Sequence, residues 1–187
     1  VDPEYHERIV KASYDELLER KAREGWTDVE FENDRDIVYA MFSGIRPGDR
    51  YLAKIDLARF PIDPYEVGFL DPEIDPSDRE RVSDRDPRYW PYSPIPGLQG
   101  SFNLVRQGAI TVFWCRQCTS AYFWYHGEND PWVPSEWPLH HVVEELRGAI
   151  QLAVHPRNWR PVERLTLLQI AHQNKILLPE NAGIDHG

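Results

Sequence analysis

Cysteine is scarce: only Cys115 and Cys118 occur in 187 residues. So few thiols, so close together, cannot form the disulfide framework of a chain this size, and the fold must rest on a buried core. Basic residues are outnumbered, with 21 Lys and Arg against 31 Asp and Glu, a net charge of -10 at pH 7 and a pI near 5.1. An acidic surface repels phosphate backbones and anionic lipid, so neither nucleic acid nor membrane is expected as a partner. There is no run of about 18 apolar residues, and the amino-terminal stretch is acidic, not basic and then apolar. No membrane span and no secretion signal are predicted, and the chain reads as cytoplasmic. Internal repeats and low-complexity tracts are also missing. Proline, at 16, and tryptophan, at 7, are plentiful, which points to a folded chain with rigid loops. The length suits a single domain over residues 1–187.

Asp2-Pro3 reads as an N-cap and first helical residue, and Gly25 as a terminator. Between them Val10, Tyr14, Leu17 and Leu18 recur at helical spacing, predicting an opening amphipathic helix. The period then changes. Val29 and Phe31 alternate with polar residues, Asn33 to Asp36 supply a turn, Ile37 to Phe42 form an apolar run, and Pro47-Gly48-Asp49 supply another turn. Tyr51 to Leu57 reads as a third strand, and the bend Phe60-Pro61-Ile62-Asp63-Pro64 leads to a short fourth, Val67 to Leu70. A helix followed by an antiparallel meander is an α+β order and excludes alternating strand-helix folds.

From about 71 to 100 the chain is rich in Asp, Arg and Pro with little apolar periodicity, which predicts a long surface loop or insertion outside the core. Ala109 to Trp114 and Ala121 to Tyr125 read as two strands, or a strand and an extended loop, ending at a turn over His126 to Pro131. Pro138 opens a second helix with Leu139, Val142, Val143, Leu146, Ala149, Ile150 and Ala153 on one face. A third helix is predicted from near Pro161 to just before Pro179.

This order, with the Phe60-Pro61, Pro64, Val67 to Phe69 bend and Trp132-Val133-Pro134 ahead of a helix, resembles the ubiquitin-conjugating enzyme family, in the manner of a divergent member of a bacterial ubiquitination-like pathway. The resemblance implies a UBC-like fold: an N-terminal helix, a four-stranded antiparallel meander and then C-terminal helices. The family carries a His-Pro-Asn motif and, eight positions after its Asn, a nucleophilic Cys. Here Ser101-Phe102-Asn103 stands for the motif, and the eighth position after Asn103 is Thr111. The stretch from there to Trp132 is longer than the family's, so an insertion would make Cys115 or Cys118 the alternative nucleophile. The implied partners are an activating enzyme, a ubiquitin-like modifier and a protein target, with no cofactor. The opening helix, through Arg8, Lys11, Arg20, Lys21 and Arg23, would meet the activating enzyme.

Transfer of a modifier's C-terminus needs an acyl acceptor, a donor to the tetrahedral oxyanion and a means of deprotonating the incoming amine. Cys115 and Cys118 are chemically preferred for the first role, because a thiol yields some thiolate near neutral pH and a labile ester. Thr111, preferred by register, needs a base such as His126. Thr119 and Ser120 offer further hydroxyls. Asn103 inherits the oxyanion role, and Glu128 and Asp130 are candidates to orient an acceptor lysine. Each has a plain structural reading as well: Thr111 as a strand residue, the cysteines as small buried hydrophobes, Asn103 as a turn former, His126 and its neighbours as loop residues, and the aromatics Tyr122 to Tyr125 as core.

The Cys115-x-x-Cys118 spacing is that of half a structural zinc site. The sequence supplies no second Cys pair; His126 is one third ligand, and the adjacent His140 and His141 point apart on a helix. No metal is therefore expected, and no thioredoxin-like pair, because no helix is predicted to open there. Two functions remain: a conjugating-like enzyme, or a catalytically inactive module of the same fold that holds a modifier or a partner enzyme.

Overall fold

The computed structural model describes residues 2–44, 47–86, 88–91, 102–107, 109–114, 116–126 and 131–151, with the backbone alone at 102–107, 109–114 and 124–126. Its opening helix α1, Pro3–Glu24, starts where the Asp2 carboxylate accepts the backbone N–H of Glu4 at 3.0 Å. It stops at Gly25, whose φ of 65° lies in the left-handed region that favours a residue without a Cβ; the Trp26 N–H then closes the end on the Lys21 carbonyl at 3.1 Å.

Four antiparallel strands follow in sequence order: β1 Val29–Asp34, β2 Ile37–Ser43, β3 Arg50–Asp56 and β4 Glu66–Leu70. The architecture is thus α+β, an N-terminal helix, a four-stranded antiparallel sheet and later helices. The register pairs Ala40 with Ala53 and Ala53 with Phe69, so every second residue faces the helices. Val38, Ala40 and Phe42, Tyr51, Ala53 and Ile55, and Val67 and Phe69 form this inner face. Over it lie Val10 and Leu17 of α1 and Leu139, Val142, Val143 and Leu146 of α3, Leu139–Gln151. Polar ties join the two helices and the turn before β1: Arg20 to Glu144 at 2.9 Å, and Arg147 bidentate to Asp28 at 2.7 and 3.1 Å. No helix among the described residues is long and apolar enough to cross a membrane.

Of the loop expected at about 71–100, residues 87 and 92–100 lie outside the described residues; the described part packs on the sheet instead of lying outside the core. Ile74 packs on the small outer cluster of Tyr39, Leu52 and Leu70, and the Arg79 guanidinium sits 4.8 Å over the Tyr39 ring while bonding Glu32. The segment then turns along the β4 edge. The Asp84 carbonyl accepts the Phe69 N–H at 2.9 Å, and Arg85 donates to the Val67 carbonyl at 3.0 Å. Finally Trp90, 0% exposed, enters the inner core edge-on to Phe69 with centroids 5.1 Å apart. A few apolar residues without periodicity therefore form a clasp, which the Asp and Arg content conceals.

A separate two-stranded sheet pairs β5, Phe102–Gln107, with β6, Ala109–Trp114. The Ala121 to Tyr125 run, expected to be extended, belongs instead to helix α2, Ser120–His126. Its aromatic residues favour strands in isolation, but Thr119 caps the turn, with its hydroxyl accepting the Tyr122 N–H at 3.4 Å and donating to the Arg116 carbonyl at 2.9 Å. Residues 161–178, expected to be a third helix, lie outside the described residues.

Candidate functional site

β3 gives way to a compact bend held by its own backbone. The Asp56 carboxylate accepts the Ala58 N–H at 2.8 Å, Phe60 N–H bonds the Leu57 carbonyl at 2.9 Å, and Asp63 N–H bonds the Arg59 carbonyl at 3.0 Å. The Phe60-Pro61 peptide is cis. From this bend the chain reaches Tyr65, which forms a parallel bridge with Thr119: Tyr65 N–H bonds the Cys118 carbonyl at 3.2 Å, and Ser120 N–H bonds the Tyr65 carbonyl at 2.9 Å.

Tyr65 is the centre of an aromatic junction. Its ring stacks on Phe60, with centroids 4.9 Å apart and planes at 19°, and meets Trp132 edge-on at 6.1 Å. Its hydroxyl donates to the Trp137 carbonyl at 2.9 Å. Burial, with smaller contributions from Cys118 and Glu16, raises its pKa well above that of an ordinary tyrosine, so it serves as a neutral donor. Trp132 in turn donates its indole N–H to the Pro61 carbonyl at 2.9 Å and meets Phe123 edge-on at 5.8 Å. The bend and the Trp132 segment, read separately in the sequence, are thus one structure.

Cys118 sits beneath this junction with 0% exposure. Burial pushes its thiol up to about 12, against a smaller lowering by its backbone hydrogen bond and by Arg116, so at neutral pH it is a protonated, enclosed thiol. Its burial matches the plain structural reading of a small buried hydrophobe. Thr119 is 2% exposed, and its hydroxyl is occupied in capping. Ser120 differs. It borders an open groove of about 380 Å³ whose rim includes Asp56, Asp63, Glu66 and Phe123.

Asn103 lies opposite Phe113, and Thr111 opposite Val105, so the β5–β6 ladder brings the two within two rungs of each other. His126 ends α2. The side chains of Asn103, Thr111 and His126, and the whole of Cys115, Glu128 and Asp130, lie outside the described residues. On α1 the five basic side chains all find neighbours: Arg8 over Tyr5, Lys11 with Asp15, Arg20 with Glu144 and Glu24, Lys21 over Phe31, and Arg23 with Glu24.

Asp56, Asp63 and Glu66 had no site signal in the sequence. Asp63 stands in the bend and Asp56 and Glu66 on either side of it, seven and three residues away, and only its closure puts them on one rim. Asp63 is paired with Arg59 at 2.5 Å, and Glu66 lies 4.0 Å from Arg85. A rim with more carboxylates than guanidinium groups beside a hydroxyl suits a cationic visitor such as a lysine side chain. Comparison with family models, with curated proteins and with solved structures returns no match for this chain.

Proposed function

We propose that the chain is a ubiquitin-conjugating-like carrier with a UBC-like fold. It accepts a ubiquitin-like modifier from an activating enzyme as an ester or thioester and passes it to an amine of a protein target. One observation carries the reading: the two anchors on which the family resemblance rests, the Phe60-Pro61 bend and Trp132, meet through a 2.9 Å hydrogen bond beside a helix and a four-stranded meander. Because Cys118 is enclosed, this reading takes Cys115 or Thr111 as the acyl acceptor, the backbone of the latter being two rungs from that of Asn103 on the β5–β6 ladder. The acidic rim of Asp56, Asp63 and Glu66 supplies a place for an incoming ammonium group. Accepting the acyl group forms a bond from the carrier's sulfur or oxygen to the modifier's carbonyl carbon and expels the activating enzyme's thiolate. Aminolysis then frees the carrier side chain and leaves an amide.

The burial of Cys118 also favours a second reading, in which the fold has lost its nucleophile and holds a modifier or a partner enzyme without chemistry. Incubation with a cognate activating enzyme, its modifier and ATP separates the two. An adduct lost on reduction and absent from Cys115→Ala assigns a thioester. A reductant-resistant, hydroxylamine-sensitive adduct absent from Thr111→Val assigns an oxyester. No adduct, with binding of the modifier retained, establishes the holding module.

A further inference from the structure

Helix α1 begins against the Phe60-Pro61 bend, and a single side chain touches both the bend and the β1–β2 turn. The His6 ring, with its side chain 15% exposed, places Nδ1 3.0 Å from the Phe60 carbonyl oxygen and Nε2 3.3 Å from Oδ1 of Asp36. A carbonyl oxygen can only accept, so Nδ1 carries the hydrogen. In the neutral imidazole Nε2 then bears a lone pair. That atom is buried, has no hydrogen-bond partner, and faces a carboxylate. A second proton on the ring converts lone-pair repulsion into an ion pair.

We propose that His6 is a proton-dependent clip. With both ring nitrogens protonated it fastens the first turns of α1 to the β1–β2 turn and to the bend; with one proton lost, that junction loosens. The proposal does not depend on the carrier reading.

The surrounding charges determine the sign. Arg59 lines the same notch of about 390 Å³ as His6, but its guanidinium is taken by Asp63 at 2.5 Å. On α1 itself the Asp2 carboxylate is held by the Glu4 N–H, and the positive end of the helix dipole opposes a cation on the ring. Asp36, from the β1–β2 turn, is the carboxylate that a doubly protonated ring meets, 3.3 Å from Nε2. The clip acts on a stretch with wider reach, because the Pro61 carbonyl next to Phe60 accepts the Trp132 indole.

The test is amide hydrogen exchange over His6 to Ser13 of the full chain at pH 6 and pH 8, corrected for the intrinsic pH dependence of exchange. Protection is expected to be about threefold greater at pH 6 than at pH 8, the scale of a partly exposed ion pair. In Asp36→Asn the step should vanish or reverse, because a protonated ring then meets only the helix dipole. His6→Gln, which keeps a donor for the Phe60 carbonyl, should show no step. Equal protection at the two pH values in the wild type overturns the proposal, as does a step of undiminished size in Asp36→Asn. Should His6→Gln fail to fold, the Asp36→Asn comparison decides alone.

Discussion

The indole N–H of Trp132 donates to the carbonyl oxygen of Pro61 at 2.9 Å, joining residues 71 positions apart. Replacing the indole by a phenyl ring keeps most of the aromatic contact and orphans that carbonyl. Trp132→Phe is expected to lower stability by about 1–2 kcal/mol in urea unfolding. Trp132→Leu, which also loses the edge contacts with Tyr65 and Phe123, should cost about 1 kcal/mol more.

Cys118 should be silent to thiol reagents. Iodoacetamide at pH 8, followed by peptide mapping, is expected to leave it unmodified in the native chain and alkylate it in urea, because burial holds the thiol at about 12. In the unfolded chain the thiol ionises near 8.5. The unfolded state therefore gives up its proton first, and the stability contributed by the buried thiol, intact below about pH 8.5, declines as pH rises toward about 12. Cys118→Ala removes that alkaline slope, which parallel urea midpoints from pH 8 to pH 10.5 will show.

Two residues of the clasp should respond in opposite ways. Trp90→Ala empties a fully buried site against Phe69 and removes the 2.8 Å bond from its indole to the Asp84 carbonyl, so a loss of about 3–5 kcal/mol or failure to fold is expected. Val82, 41% exposed, should tolerate alanine within about 0.5 kcal/mol. Thermal unfolding of the pair distinguishes a clasp that is part of the core from a surface loop.

Gly68 is held to glycine by space alone. A Cβ there would stand 2.4 Å from Cγ of Asp84, the residue whose carbonyl binds the β4 edge. Gly68→Ala is expected to push Asp84 off the sheet, at a cost of about 1–3 kcal/mol. Limited proteolysis should then cut within 71–86 faster than in the wild type.

The opening helix, the three turns of the meander and the α3 face were legible because their signals are local. Asp2 and Gly25 cap close to the helix they bound, and β2 and β3 stand out as apolar runs between turn residues; which face is the inner one was not readable, because Tyr39 and Leu52 are buried on the outer face as well. Helix α2 was not legible. Its aromatic run carries strand propensity, and the Thr119 cap that overrides it acts only once the chain turns at Arg116. The pairing of β5 with β6 was not legible: β5 carried no strand reading, and Asn103 and Thr111 were linked only through the spacing of the family motif.

The sequence by itself determined the order of the opening helix, the four-stranded meander and α3, the net negative charge and the short list of nucleophilic side chains, since composition, period and caps are properties of neighbouring residues. Tertiary structure alone decided that Cys118 does not meet solvent. Cys118 is sealed because Tyr65, more than fifty residues earlier, bridges to Thr119, and the carboxylates of Asp56, Asp63 and Glu66 share a rim because the bend folds back on itself. Burial is set by which distant segments pack together, and no local pattern carries that information.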